Sequence, residues 1–136
     1  MAENPREAQE AALTLELYQR QLDAISRQID FLQGVHDEIV RAQRTIEGLG
    51  EAVGQDVLVP MGASAFIAGK IDPTSPVIVG IGAGYATERT REEAIAVLSQ
   101  RAKQAEGELD SLMQTAVQLQ QEAARLSEGM EDQPED

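Results

Sequence analysis

Apolar residues in the first part of the chain recur at spacings that alternate between three and four residues. The pattern starts at Leu15 and ends at Ile46, and its members are Leu15, Tyr18, Leu22, Ile25, Ile29, Leu32, His36, Ile39, Gln43 and Ile46. This alternation is typical of the line of contact along which one α-helix packs against another in a coiled coil. We call these positions the first seam, and they predict one long helix.

A second series with the same spacing occupies the last part of the chain. Its members, the second seam, are Ile95, Leu98, Ala102, Ala105, Leu109, Leu112, Ala116, Leu119, Ala123, Leu126 and Met130. The two seams are nearly equal in length and flank residues 51–89, which favours an antiparallel hairpin of helices within one chain. A parallel coiled coil between two different chains is the alternative.

Residues at the helix ends set the expected boundaries. Asn4 is suited to cap the first helix, and Gly48 and Gly50 are predicted to end it. Thr90 and Glu93 have the spacing of a capping box at the start of the second helix. The chain is thereby divided into a coiled-coil helix over residues 1–50, a β region over 51–89, a second helix over 90–130 and an acidic tail over 131–136.

Four short runs of β-forming residues lie between the helices: DVLVPMG, SAFIAGKI, VIVGIG and YATER. Glycine- and proline-containing turns separate them, which predicts two β-hairpins and an α+β fold. Four short strands with few aromatic residues are not stable alone and leave sheet edges open, so we expect them to assemble with other subunits. The residues assigned to this oligomerisation are Val57, Val59, Phe66, Ile67, Val77, Ile78, Val79 and Ile81.

The glycines of VIVGIGAGY invite comparison with a phosphate-binding loop. After Gly80 and Gly82, the dinucleotide fingerprint requires a third glycine at a position that Tyr85 occupies. No Gly-Lys-Ser/Thr follows, and no later strand completes a βαβ unit. These glycines are interpreted as turn residues of a hairpin.

Composition narrows the possible functions. The net charge of −13, from 24 acidic and 11 basic residues, argues against nucleic acid and anionic membranes as partners. The chain has no cysteine and only one histidine, His36, so we expect no metal site, no catalytic site and no cofactor. His36 lies on the first seam, where a polar residue fixes register. Without a membrane span or a signal-peptide pattern, we expect a cytoplasmic protein.

Two long helices that flank VLVPMG and VGIGAGYATERTREEA resemble the archaeal prefoldin α subunit over nearly the whole chain. The predicted four strands fit the α class, which carries two hairpins where the β class carries one. The resemblance implies a hexamer of two α and four prefoldin β subunits, in which the hairpins form an oligomeric double β barrel and the coiled coils project from it. It also implies ATP-independent binding of unfolded proteins and their delivery to a group II chaperonin.

Apolar residues near the open ends of the helices agree with this expectation. Leu13 and Leu17 lie off the first seam and Val117 lies off the second, at the end of a very acidic pair of helices. The residues expected to contact clients at the coiled-coil tips are Leu13, Leu17, Val117, Leu126 and Met130. The alternative function is a structural coiled-coil scaffold that assembles through its sheet and binds no client.

Overall fold

The computed structural model describes residues 5–72 and 74–131. Along the chain, four strands lie between two long helices. The order is α1 (Pro5–Ala52), β1 (Asp56–Gly62), β2 (Ala65–Lys70), β3 (Val77–Gly82), β4 (Tyr85–Arg89) and α2 (Arg91–Glu131). The predicted α+β class, a coiled-coil helical hairpin with a β insert, is confirmed. The predicted Asn4 cap and residues 132–136 of the acidic tail lie outside the described residues, as does Pro73 between the hairpins.

The end of α1 differs from the sequence prediction. The helix does not stop at Gly48 or Gly50 but continues to Ala52. Glycine in a helix interior costs about 1 kcal/mol relative to alanine, an amount that tertiary contacts readily offset. The chain turns at Gly54, whose φ of 81° is left-handed, and the Gln55 N–H donates to the Ala52 carbonyl at 3.0 Å.

The start of α2 follows the predicted capping arrangement. The Glu93 backbone N–H donates to Thr90 Oγ1 at 3.1 Å, and the Thr90 hydroxyl donates to Glu93 Oε1 at 3.2 Å. These contacts satisfy a backbone donor in the first turn, where intrahelical partners are lacking. Thr90 therefore fixes where strand β4 gives way to the helix.

The chain forms two compact units. The helical unit comprises the described residues within 1–35 and 105–136, and the hairpin unit comprises those within 36–104. Both helices therefore contribute one part to each unit. All members of both predicted seams are buried or half-buried, which confirms the 3-4 spacing as the packing pattern of the helices.

Each pair of consecutive strands forms a separate two-stranded antiparallel sheet, as predicted. In the first hairpin Val59 pairs with Ile67, and in the second Val79 pairs with Thr87. The two hairpins end in the same way, with a register shift followed by a two-residue loop. Ala63 and Ser64 in one loop, and Ala83 and Gly84 in the other, all have positive φ, as type I′ turns require.

The core of the hairpin unit joins the second hairpin to both helices. Ile46 of α1, Val79 of β3 and Ala94 of α2 are buried together, with Val77, Ile95, Val97 and Leu98 packed around them. Arg101 adds a polar contact, because its Nη2 donates to the Gly80 carbonyl at 2.7 Å. The second hairpin is thereby anchored to α1 and α2 by apolar contact and by a charge-assisted hydrogen bond.

Candidate functional site

The helical unit holds its two helices together with small and apolar residues. Ala105 and Leu109 of α2 are buried, and a hydrogen bond of 3.2 Å runs from the Tyr18 hydroxyl to Glu122 Oε2. The Glu122 carboxylate raises the pKa of Tyr18, because it accepts the hydrogen bond from the protonated phenol and repels the phenolate. Tyr18 therefore remains the donor of a contact that joins α1 to α2 near their open ends.

Three of the five predicted client residues are exposed on the helical unit. Leu13 is 61% exposed, Leu17 54% and Val117 50%, and Leu13 and Leu17 are one helical turn apart on α1. The other two, Leu126 and Met130, are half-buried members of the second seam. The open end of the unit therefore presents apolar side chains outward while the seam behind them stays packed.

A notch of about 320 Å³ lies beside the contact between Tyr18 and Glu122. Its lining consists of Thr14, Tyr18, Glu122, Arg125 and Leu126. Leu126 is thus reachable from solvent at one edge although it belongs to the seam.

Two exposed apolar residues of the helical unit were not among the sequence-predicted site residues. Phe31 is 72% exposed on α1, and Met113 is 41% exposed on α2, one helical turn before Val117. Both lie off the seams, as Leu13 and Leu17 do. Comparing every large apolar residue with the seam positions along the full length of the helices, rather than only near their ends, would have identified them.

The first hairpin exposes apolar side chains on both faces. Residues directly opposite each other in an antiparallel pair share a face, so Val59 lies beside Ile67 and Pro60 beside Phe66 on the opposite face. Val59, Ile67 and Phe66 are exposed, and Val57 is half-buried. Leu58 and Met61, which were not among the predicted assembly residues, are exposed too. Within the described chain this hairpin is available to other subunits from either side.

The second hairpin divides its apolar residues between the inside and the outside of the chain. Val79 is buried and Val77 half-buried against the helices, whereas Ile78 and Ile81 are exposed. The predicted role of these residues in oligomerisation stays a prediction. The structure shows that Ile78 and Ile81 are the members accessible to another subunit.

The glycine-rich segment and the ionisable residues bear on whether the described chain has a nucleotide or metal site. Gly82 and Gly84 belong to the turn between β3 and β4, and an antiparallel strand follows them where a nucleotide-binding loop leads into a helix. Among residues 5–72 and 74–131, no three His, Asp or Glu side chains are grouped so that they could hold a metal ion. Neither helix, over its described residues, is long and apolar enough to cross a membrane.

Comparison with known proteins gives a consistent result. The sequence model of the family described as "Prefoldin subunit" matches residues 18–133. The chain belongs to the prefoldin family. It is 33% identical over 105 residues to prefoldin subunit alpha 1 of Thermococcus kodakarensis, covering 76% of this chain and 72% of the relative. It is 36% identical over 107 residues to prefoldin subunit alpha of Nitrosopumilus maritimus, covering 79% and 71%.

A solved structure supports the same assignment. A chain of filamentous PFD from Methanocaldococcus jannaschii matches with a TM-score of 0.57 and 25% identity, covering 89% of this chain and 95% of that one. The resemblance to archaeal prefoldin α subunits is thereby confirmed, and prefoldin is a family of chaperone subunits. The family match starts at Tyr18, so it includes all four strands, the whole second seam and the first seam except Leu15, whereas Leu13 and Leu17 precede it.

Proposed function

We propose that this chain is the α-type subunit of a prefoldin hexamer of two α and four β subunits, which binds unfolded proteins without ATP and delivers them to a group II chaperonin. Two observations support the α assignment. The relatives are named prefoldin subunit alpha, and the chain carries two hairpins. The hairpins join the oligomeric β barrel, and the helical unit carries the residues that bind clients.

Exposure of Leu13, Leu17 and Val117 is the observation that carries the client-binding proposal. Full burial of one such side chain by a client contributes about 1.5 to 3 kcal/mol, an upper bound because a mobile client covers it only in part. Each subunit therefore binds weakly. Six subunits held in one assembly bind more tightly through effective concentration, while each contact still releases easily. Leu126 and Met130 add contacts where the seam opens.

Assembly is proposed to use the exposed apolar residues of both hairpins. Val59, Phe66 and Ile67 lie exposed on the first hairpin, and Ile78 and Ile81 on the second. Two-stranded sheets are marginal by themselves, so pairing with strands of other subunits supplies the stability that they lack. Val57, Val77 and Val79 support these surfaces from positions that are already half-buried or buried in the chain.

A set of substitutions on the helices tests whether Leu13, Leu17 and Val117 bind clients. The triple variant Leu13→Ser, Leu17→Ser and Val117→Ser should assemble normally with β subunits but protect a denatured test protein poorly against aggregation, with or without ATP. The matched control replaces exposed polar residues in the same numbers on the same helices: Gln19→Ser, Gln21→Ser and Gln118→Ser. The two variants differ in the apolar area presented, so the comparison isolates that quantity.

The outcome separates the chaperone from the scaffold hypothesis. Light scattering establishes that both variants form the full complex, and turbidity of the test protein measures protection. Equal protection by both variants would contradict client binding at the coiled-coil tips. It would indicate that the sheet or the β subunits bind the client instead. Absence of protection even by the unsubstituted hexamer would favour the scaffold. Transfer of a bound, labelled client to a group II chaperonin tests delivery.

A further inference from the structure

Two exposed patches of the helical unit carry matching sets of side chains. The α1 patch consists of Leu13, Leu17 and Arg20, and the α2 patch consists of Asp110, Met113 and Val117. All six residues are exposed, and the four apolar ones are 61%, 54%, 41% and 50% exposed in chain order. These four and Phe31 are the large apolar residues exposed on the described helices.

The order of residues in one patch is the reverse of the order in the other. Along α1, two apolar residues four apart are followed after three residues by a cation. Along α2, an anion is followed after three residues by two apolar residues four apart. Helices that pack antiparallel bring such reversed patterns into register, because spacings of three and four residues form one helical face. The register places Leu13 against Val117, Leu17 against Met113 and Arg20 against Asp110.

The two patches of one chain cannot meet each other. Tyr18 hydrogen-bonds to Glu122, so the α1 patch is level with residues of α2 near position 122. Met113 is nine residues away, a distance of roughly 13 Å along the helix. The α1 patch also lies on the side of the helix that faces away from the first seam. A contact between the patches therefore requires two chains.

The charges at the patches are available for such a contact. Arg20 forms an ion pair with Glu16 one turn earlier, at 3.0 Å, and both side chains are largely exposed to solvent. An exposed pair of this kind is weak and leaves the guanidinium donors free to engage a second carboxylate. Asp110 points away from the second seam and is exposed. In a chain of net charge −13, a cation placed opposite a carboxylate also offsets repulsion between copies.

From this complementarity we infer that the α1 patch of one copy of this chain binds the α2 patch of a second copy, with the helices antiparallel. Three side chains on each copy are far fewer than the roughly twenty to thirty residues per side of a stable complex. The register also shifts the two copies by ten residues, roughly 15 Å, along the helices, so the contact is weak in isolation and joins copies of different assemblies rather than copies held level in one. It does not depend on the proposed client binding, although a client on Leu13 and Leu17 would compete with it.

Cysteine cross-linking tests the register directly, since the chain contains no cysteine of its own. One full-length copy carries Leu13→Cys and a second, with a different tag, carries Val117→Cys. Mixed under oxidised glutathione, they should form a disulfide between the two tags. The control replaces Val117→Cys by Gln118→Cys, which is exposed on the same turn but rotated by about 100° around the helix.

Charge reversal completes the test. Arg20→Asp in the copy with Leu13→Cys should lower the yield of the disulfide by about fivefold, because an attractive pair becomes a repulsive one. Asp110→Arg in the copy with Val117→Cys should restore it. Circular dichroism checks that each variant keeps its helices. The inference is overturned by equal yields for positions 117 and 118, by no disulfide at either, or by a reversal that the second substitution does not rescue.

Discussion

The two hairpins follow one plan but differ in what covers them. Val77 and Val79 occupy the positions in the second hairpin that Val57 and Val59 occupy in the first, and both hairpins end in a two-residue turn with positive φ. Yet Val79 is 7% exposed and Val59 is 47% exposed. The β pattern alone therefore does not determine burial.

The difference arises from the helices next to the second hairpin. Ile46 and Ala94 present apolar surface to Val79, and Arg101 holds the Gly80 carbonyl. In the described chain the first hairpin has no such apolar cluster, and Val59 and Ile67 remain exposed. The second hairpin thus stabilises the fold of the chain in addition to its proposed role in assembly, while the first is proposed to act in assembly with other subunits alone.

Placing a charge at equivalent positions in the two hairpins should give the largest contrast. Val79→Asp buries a carboxylate among Ile46 and Ala94, so we expect a loss of more than about 3 kcal/mol and partial unfolding near the strands. Val59→Asp should leave the melting temperature nearly unchanged but prevent assembly. Thermal unfolding by circular dichroism and light scattering measure the two effects.

Ile78→Asp is the control for this comparison, because Ile78 lies next to Val79 on the exposed face of the same strand. It should behave as Val59→Asp does, with a stable chain and no assembly. If Val59→Asp lowered the melting temperature as much as Val79→Asp, the first hairpin would be part of the folding core. The contrast between the hairpins would then be wrong.

The turns provide a second, smaller contrast. Ser64 has a φ of 61°, and its counterpart Gly84 has a φ of 80°. Left-handed backbone costs a residue with a side chain about 1 kcal/mol or more, a cost that glycine avoids. Gly84→Ser should therefore destabilise the second hairpin and Ser64→Gly should stabilise the first. Amide hydrogen exchange in each hairpin reads out both effects, and a shift in the same direction for both would contradict the turn assignment.

Removing the Arg101 contact should affect one hairpin only. Arg101→Met keeps most of the aliphatic chain but loses the donor to the Gly80 carbonyl, a hydrogen bond worth about 1 kcal/mol. We expect faster amide exchange in β3 and β4 and no change in β1 and β2. Lys103→Met, at a neighbouring exposed position, is the control, and equal effects of the two substitutions would show that charge rather than the hydrogen bond is responsible.

The smallest expected effect concerns the segment between the hairpins. The Thr74 backbone N–H and its hydroxyl both donate to Asp72 Oδ1, at 2.9 and 2.8 Å, and hold the pKa of Asp72 below its ordinary value. Because the folded pKa is lowered, this contact stabilises the segment at neutral pH and is lost as pH falls through that lowered pKa. The Thr74 amide NMR shift should follow this titration, and Asp72→Asn should remove it. A Thr74 shift that still titrates in Asp72→Asn would contradict the assignment.

The sequence predicted the helices and strands well because their signals are local. The 3-4 spacing identified the seam residues, and the turn residues between β-forming runs identified both hairpins. The prediction that α1 ends at Gly48 or Gly50 was wrong, because helix propensity is a weak signal that neighbouring contacts override. The contrast between Val59 and Val79 was not predictable, since it depends on where Ile46 and Ala94 lie in three dimensions. Phe31 and Met113 were missed because only apolar residues near the helix ends had been considered.

Exposure of both faces of the first hairpin has a consequence for the biosynthesis of this chain. Until its partners arrive, a newly made copy displays Leu58 and Phe66 on one side and Val59 and Ile67 on the other. Open strand edges with apolar faces are prone to aggregation. A copy without its partner subunits thus presents the kind of surface that chaperones bind. We expect expression of the chain in excess over its partners to yield insoluble protein, and balanced co-expression to prevent this.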